Sequence, residues 1–420
     1  MDNSTVPQTW DDLYKSDRPI DFQAFLQSDL LAGKRRIHLV VAIIRHVAGS
    51  ISLIASTAII WHILRSYDGL STTYHRLVFG LCICDIILSS VIALSTTMAP
   101  KEMEYFIPNA RGNVASCDAQ GFLYVVGFAT SSLYNRSLCF YYLAIIKYSK
   151  KEDYIRNKLE PWFHGISIIL PLVSGVILLA AKAFNSGSYD VCLLAQSKPP
   201  HCIGYENGYT PKGYNIQCGR IDLNDKPFLH AIAIVGHFIV LASAPIVVLW
   251  TMLLVYRTVL KIEKRMQRYG VRVLRARIAS HQSDNLAEVG NEGVMNRIKN
   301  TCKCIIPCQN GDRLQRRSNN ARSQKRAILN AAFGYAVAWF LTHAPYIIFR
   351  ISPNPTTLML GVFQCLQGLY NFFMDMSPKV KNAKRSRRKN ITWCQAFKKV
   401  WMSKGDRRIA RESVPSRTFS

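Results

Sequence analysis

The chain has 420 residues, 49 % of them apolar, and a formal net charge of +27. Residues 257–326 hold 17 Lys/Arg against 5 Asp/Glu, and residues 377–420 hold 14 against 2, so each contributes +12 and the rest of the chain only +3. Positive charge gathered into two segments beside apolar blocks excludes a nucleic-acid partner and points to the cytoplasmic face of a membrane protein.

The first 30 residues are polar and acidic, with Asp2, Asp11, Asp12, Asp17, Asp21 and Asp29. They show no cleavable signal peptide, so the first apolar block is expected to serve as the insertion signal. Asn3-Ser4-Thr5 has the pattern of a glycosylation acceptor, which makes Asn3 the expected glycan site. Apolar blocks then follow at about 38–64, 77–98, 119–146, 162–183, 228–256, 327–349 and 357–376. Each is long enough, or nearly so, to span a bilayer. The first is blurred by Lys34, Arg35 and Arg36 before it and by Arg45 and His46 within it. The third runs from Ala119 to Ile146 with one full charge, Arg136; at ~1.5 Å per residue it reaches ~42 Å, enough to cross at a tilt.

Connections after the first, third and fifth blocks carry Arg65 and Arg76, then Lys147 to Lys158, then the long basic segment. By the positive-inside rule these lie in the cytoplasm and the N-terminus lies outside. The expected architecture is all-α: an outer segment 1–37, a seven-helix bundle over 38–378 that includes the basic inner loop 257–326, and a basic cytoplasmic tail 379–420. Val259, Ile262, Met266, Val273 and Ile278 keep helical spacing and carry the fifth helix into the cytosol. In the tail, Trp393, Phe397, Val400 and Trp401 form one apolar face beside Lys398 and Lys399, the pattern of a helix lying on anionic lipid. The expected location is a multi-pass membrane protein of the plasma membrane.

Ionisable groups inside a bilayer are functional candidates by default. Asp85 lies ~14 Å and Arg136 ~16 Å from the inner surface by residue count. Their similar depth suggests an ion pair or a hydrated pocket joined through Ser131 or Ser132, with Asn135 beside them and Asn371 facing them; snorkelling of Arg136 to the interface is the alternative. Pro171, Pro245 and Pro345 fall inside the fourth, fifth and sixth blocks. Pro345, preceded by His343, sits in an aromatic cluster and would let the sixth helix pivot at its cytoplasmic end. Cys117 at the outer mouth of the third block, with Cys192, Cys202 and Cys218 in the outer loop, suggests two disulfides with three pairings open. Acidic clusters and nucleophile–base constellations are lacking, so neither an enzyme nor a metal or other cofactor is expected.

Leu81-Cys82-Ile83-Cys84-Asp85 resembles the leucine–aspartate pattern of the second helix of rhodopsin-like G-protein-coupled receptors. Leu133-Tyr134-Asn135, Phe140-Tyr141-Tyr142-Leu143, Glu160-Pro161-Trp162 with His164, and Gln367-Gly368-Leu369-Tyr370-Asn371 look more like cyclic-AMP-receptor-like receptors and their algal relatives. Tyr141, Tyr142 and Leu143 stand where the rhodopsin-like branch has Asp-Arg-Tyr, and Phe372 follows Asn371 where that branch has proline. With no lysine between Thr356 and Met376, a retinal Schiff base has no anchor there. The resemblance implies an extracellular ligand and a heterotrimeric G protein docked at Lys147, Tyr148, Arg257, Lys325 and Arg326. It also implies the pairing Cys117–Cys192, with Cys202–Cys218 closing a small loop. A seven-helix transporter or channel is the rival expectation; no internal repeat supports it.

Overall fold

The computed structural model describes residues 29–104, 107–186, 192–194, 227–233, 243–262, 362–385 and 391–402, with residues 264, 265, 268, 333–334, 336–337 and 340–343. Asn3, Cys202, Cys218, Lys325, Arg326 and Pro345 lie outside the described residues.

Helix α1 spans Asp29–Arg65. It starts earlier than the apolar block, so Arg35 and Arg36 sit on an exposed first stretch of helix. Val41, Arg45, Ala48, Ser52, Ala55, Ile59 and Ile63 are buried at helical spacing, while Leu39, Val40, Ile43, Val47, Ile51 and Ile54 are exposed. An apolar face left outward along a whole helix is what hydrocarbon requires. Helix α2 (Thr73–Leu94) begins at an N-cap, the Thr72 side chain accepting from the His75 amide. Helix α3 (Val114–Ile146) opens on a capping box: Ser116 N–H donates to Asn113 Oδ1 and Asn113 N–H to Ser116 Oγ, both at 2.8 Å. Helix α4 (Glu160–Ala180) carries Pro161 in its first turn and is led in by a helical turn at Glu152–Tyr154 and a π-helical turn at Ile155–Leu159.

The all-α expectation needs one correction. After α4, β1 (Phe184–Ser186) pairs antiparallel with β2 (Cys192–Leu194), in the register Phe184 to Leu194 and Ser186 to Cys192. Three-residue strands are too short for an alternation to show in sequence.

The fifth block appears as α5 (Pro227–Ala233) and α6 (Ser243–Ile262), and residues 333–343 are helical wherever described. The seventh is α7 (Val362–Cys365), a turn at Leu366, and α8 (Gln367–Arg385), which runs past the expected end of the bundle. Helix α9 (Trp393–Met402) folds back along α8. Its Ala396 and Val400 pack on Met376, Val380 and Ala383, the Phe397 and Trp401 rings reach Phe372, and Trp393 meets Lys384.

Among the described residues four stretches, Arg35–Arg65, Thr73–Met98, Glu152–Ala180 and Ser243–Ile262, are long and apolar enough to cross a membrane by themselves. Helix α3 is not among them, because Thr130, Ser131, Ser132, Asn135, Arg136 and Ser137 lower its hydropathy. It is enclosed instead: from Gly127 to Ala144 only Arg136 and Phe140 are not buried. The chain is a multi-pass membrane protein built around a helix that meets protein more than lipid.

Helix α8 touches α1 at Gly368, where an added Cβ would lie 2.6 Å from the Ser52 carbonyl oxygen and 2.7 Å from Ser52 Oγ. At Gly165 on α4 a Cβ would meet nothing within 4 Å. Gly368→Ala is therefore expected to lose ~1–3 kcal/mol by overpacking, while Gly165→Ala loses none. Thermal unfolding of the detergent-solubilised protein checks the pair, and equal effects would contradict the packing.

Candidate functional site

Asp85 projects from the middle of α2 and is 1 % exposed. Its Oδ1 accepts from Ser131 Oγ of α3 at 2.9 Å and from Gln367 Nε2 of α8 at 3.1 Å; its Oδ2 accepts from Asn371 Nδ2 of α8 at 2.7 Å. Gln367 Nε2 also bonds Ser131 Oγ. Gln367 and Asn371, four residues apart, share one face of α8 and so both meet the same carboxylate. Beside this centre Ser52 Oγ of α1 accepts from Ser89 Oγ and from the Gly368 amide, each at 2.9 Å. Gln367 Oε1 and Ser56 Oγ are buried there without a hydrogen-bond partner among the described residues. One carboxylate and its neighbours thus bind α1, α2, α3 and α8 together.

The suggested pairing of Asp85 with Arg136 is not the arrangement found. Arg136 Nη1 reaches Ser243 Oγ of α6 at 3.2 Å. Ser131 and Arg136 are five residues apart, hence about 140° apart around α3, so equal depth does not put Arg136 beside the carboxylate. Asn135 is buried and donates to the Ser131 carbonyl oxygen at 3.2 Å, within its own helix.

Toward the N-terminal end of α3, one turn from Ser131, Phe128 stacks on His343 with centroids 4.8 Å apart, and Tyr124 stacks on Phe128. Tyr124 Oη donates to Gln364 Oε1 at 2.9 Å, tying α3 to the strand-side end of α7–α8. His343 also shares a 2.8 Å contact with Thr342 Oγ1. Leu193 of β2 packs into the cluster that contains Tyr124, Phe128 and Cys365. Cys117 and Cys192 form a disulfide, the pairing that the resemblance implies. Gln120 strengthens it: Oε1 accepts from the Cys192 amide at 3.0 Å and Nε2 donates to the Ser95 carbonyl at 2.7 Å. The ribbon is thereby pinned over the N-terminal end of α3.

At the other end, Lys147, Tyr148 and Arg257 are exposed, with Lys147 Nζ 5.1 Å from the centre of the Tyr148 ring. Two polar clamps there were not legible as such in the sequence. Asp375, 3 % exposed, binds Lys379 Nζ at 2.7 Å and accepts from Tyr74 Oη at 3.4 Å, joining α8 to α2. Glu160 binds the Arg76 guanidinium through both oxygens, with Arg76 Nη2 to Oε2 at 2.6 Å, and accepts from Thr73 Oγ1 at 2.8 Å, joining α4 to α2. Glu152 adds a bond from the Thr73 amide at 2.7 Å and one from Tyr141 Oη at 3.3 Å. The i, i+4 spacing of Asp375 and Lys379 was the available signal. No group of His, Cys, Asp or Glu among the described residues is placed to hold a metal ion.

A buried donor that loses its acceptor costs ~1–3 kcal/mol. Asp85→Ala should therefore lower the melting temperature of the solubilised protein more than Asp85→Asn, which keeps one acceptor oxygen. Equal shifts would show that the carboxylate does not organise its neighbours.

No family model matches the chain, and neither does any curated protein. Among solved structures the chain is similar to squid rhodopsin, with a TM-score of 0.55 and 11 % identity over 92 % of this chain and 93 % of that one. At that identity the likeness concerns the fold alone: the chain has a helical fold similar to that of squid rhodopsin.

Proposed function

We propose that the chain is a G-protein-coupled receptor, not an enzyme, which binds an extracellular ligand and signals to a heterotrimeric G protein. The reading takes the N-terminus as outside, the basic loop and tail as cytoplasmic, and the plasma membrane as the location. One observation carries it: the Asp85 centre joins four helices ~4.5 Å below the Phe128–His343 stack, itself roofed by a disulfide-pinned ribbon. A ligand that presses on the ring stack would act on α3 one turn from the serine that bonds the carboxylate. That is the connection a transmembrane switch requires.

The inner face would open by a pivot of the sixth helix at Pro345. Pro345 to Arg326 is 19 residues, ~28 Å along a helix, so a tilt of ~15° moves the inner end by ~7 Å. The groove so opened would lie between Lys147 and Tyr148 on one side and Arg257, Lys325 and Arg326 on the other, and basic residues would hold this face to anionic lipid.

Cells expressing the chain are expected to activate a heterotrimeric G protein when the right compound from an extracellular ligand library is added. Spin labels at Tyr148 and Lys325 should then report a longer distance. Solute transport by the reconstituted protein, without nucleotide exchange on any G protein, would overturn the reading in favour of a transporter or channel.

A further inference from the structure

We propose that a cavity between the inner ends of α2 and α4 binds the phosphate-bearing headgroup of a membrane lipid. The cavity is a shallow cleft, largely open at the surface, of about 470 Å³, lined by Leu70, Arg76, Arg156, Asn157, Glu160 and His164. That is the size of a small-molecule site. It is separate from the Asp85 centre.

The charge of the walls selects the ligand. A free carboxylate at Glu160 would repel an anion, but both of its oxygens are taken by Arg76, and Oε2 also by Thr73. His164 stands 3.6 Å from Glu160 and bonds Tyr134 Oη through Nδ1 at 2.9 Å. Arg76 and Glu160 cancel each other. Arg156 is left: it is exposed and makes no side-chain hydrogen bond or ion pair among the described residues. Its guanidinium, with the Asn157 amide beside it, offers planar paired donors to phosphate oxygens.

The surface above the cavity selects a lipid over free phosphate. Pro161 lies at its rim, and Gly165, Ile168 and Leu172 continue from Pro161 along one stripe of α4. Gly165 has open space around it; Ile168 and Leu172 are 45 % and 43 % exposed. On α2, Ile83 and Ile87 stand above Arg76 on one stripe, 40 % and 38 % exposed. A headgroup in the cavity would thus leave its acyl chains against apolar side chains of both helices.

The test uses the full chain in neutral phosphatidylcholine nanodiscs and a fluorescent short-chain phosphatidylinositol bisphosphate. Arg156→Ala is expected to weaken binding about five-fold, the effect of one basic residue near a charged lipid. Gly165→Leu, which fills the groove, should weaken it as well. The tail variant Lys398→Ala/Lys399→Ala should bind like the parent. Equal losses in the Arg156 and tail variants would show general basic attraction and overturn the site. So would an unchanged Arg156→Ala, or soluble inositol trisphosphate or inorganic phosphate binding as tightly as the lipid. Neither ligand nor G protein enters the assay, so its failure leaves the receptor reading standing, and a chain that couples to no G protein leaves the lipid site standing.

Discussion

A carboxylate placed between membrane helices must find its donors within the protein, since hydrocarbon offers none. Asp85 finds them on α3 and α8, and the rest of the bundle is arranged around that demand. Because two of the donors come from one face of α8, a shift of that helix by one residue would remove both. Ser52 fixes α8 from the other side by accepting the Gly368 amide, at an approach that a side chain would forbid. Helix α6 bonds α3 at Arg136–Ser243, but much of their remaining contact is of a different kind. Leu143, Ile146, Val255 and Val259 meet through apolar surface, which has no direction and tolerates sliding. Directional bonds hold the helices around Asp85, while apolar surface makes up much of the contact between α3 and α6.

The same division explains the composition of α3. A helix facing lipid must be apolar outside; a helix enclosed by other helices need only satisfy its neighbours. Ser131 serves Asp85, Ser137 approaches Ser167 of α4 at 3.4 Å, and Tyr134 bonds His164. These hydroxyls tie α3 to α2 and, at two places, to α4. Polar side chains that lower its hydropathy are what make it the axis.

The long apolar blocks are legible in sequence because spanning a bilayer demands length and hydrophobicity from contiguous residues. Asp85 is legible because a charge in such a block is rare. Its partners are less so. Residue counting gives depth along a helix but not direction around it, which is why depth alone joins Asp85 to Arg136 when the structure turns the two apart. Gln367 looks like a packing residue until α8 is rotated against α2. Asp375 and Lys379 escape notice because the seventh block, judged by hydropathy, closes at Met376, between the two. Glu160 is visible as part of a motif, but its partner Arg76 is 84 positions away, and no local pattern connects them.

The tail helix has a bearing on where this chain can be cut. Phe372, Met376, Val380 and Ala383 line the side of α8 turned away from Asn371 and Asp375, and α9 is what covers them. A chain ended between Arg385 and Thr392 would keep every helix of the bundle, yet it would carry an uncovered apolar strip on the helix that anchors Asp85. Shortened forms made to ease purification would thus trade a basic tail for a sticky surface, and their self-association would say nothing about how the intact molecule assembles.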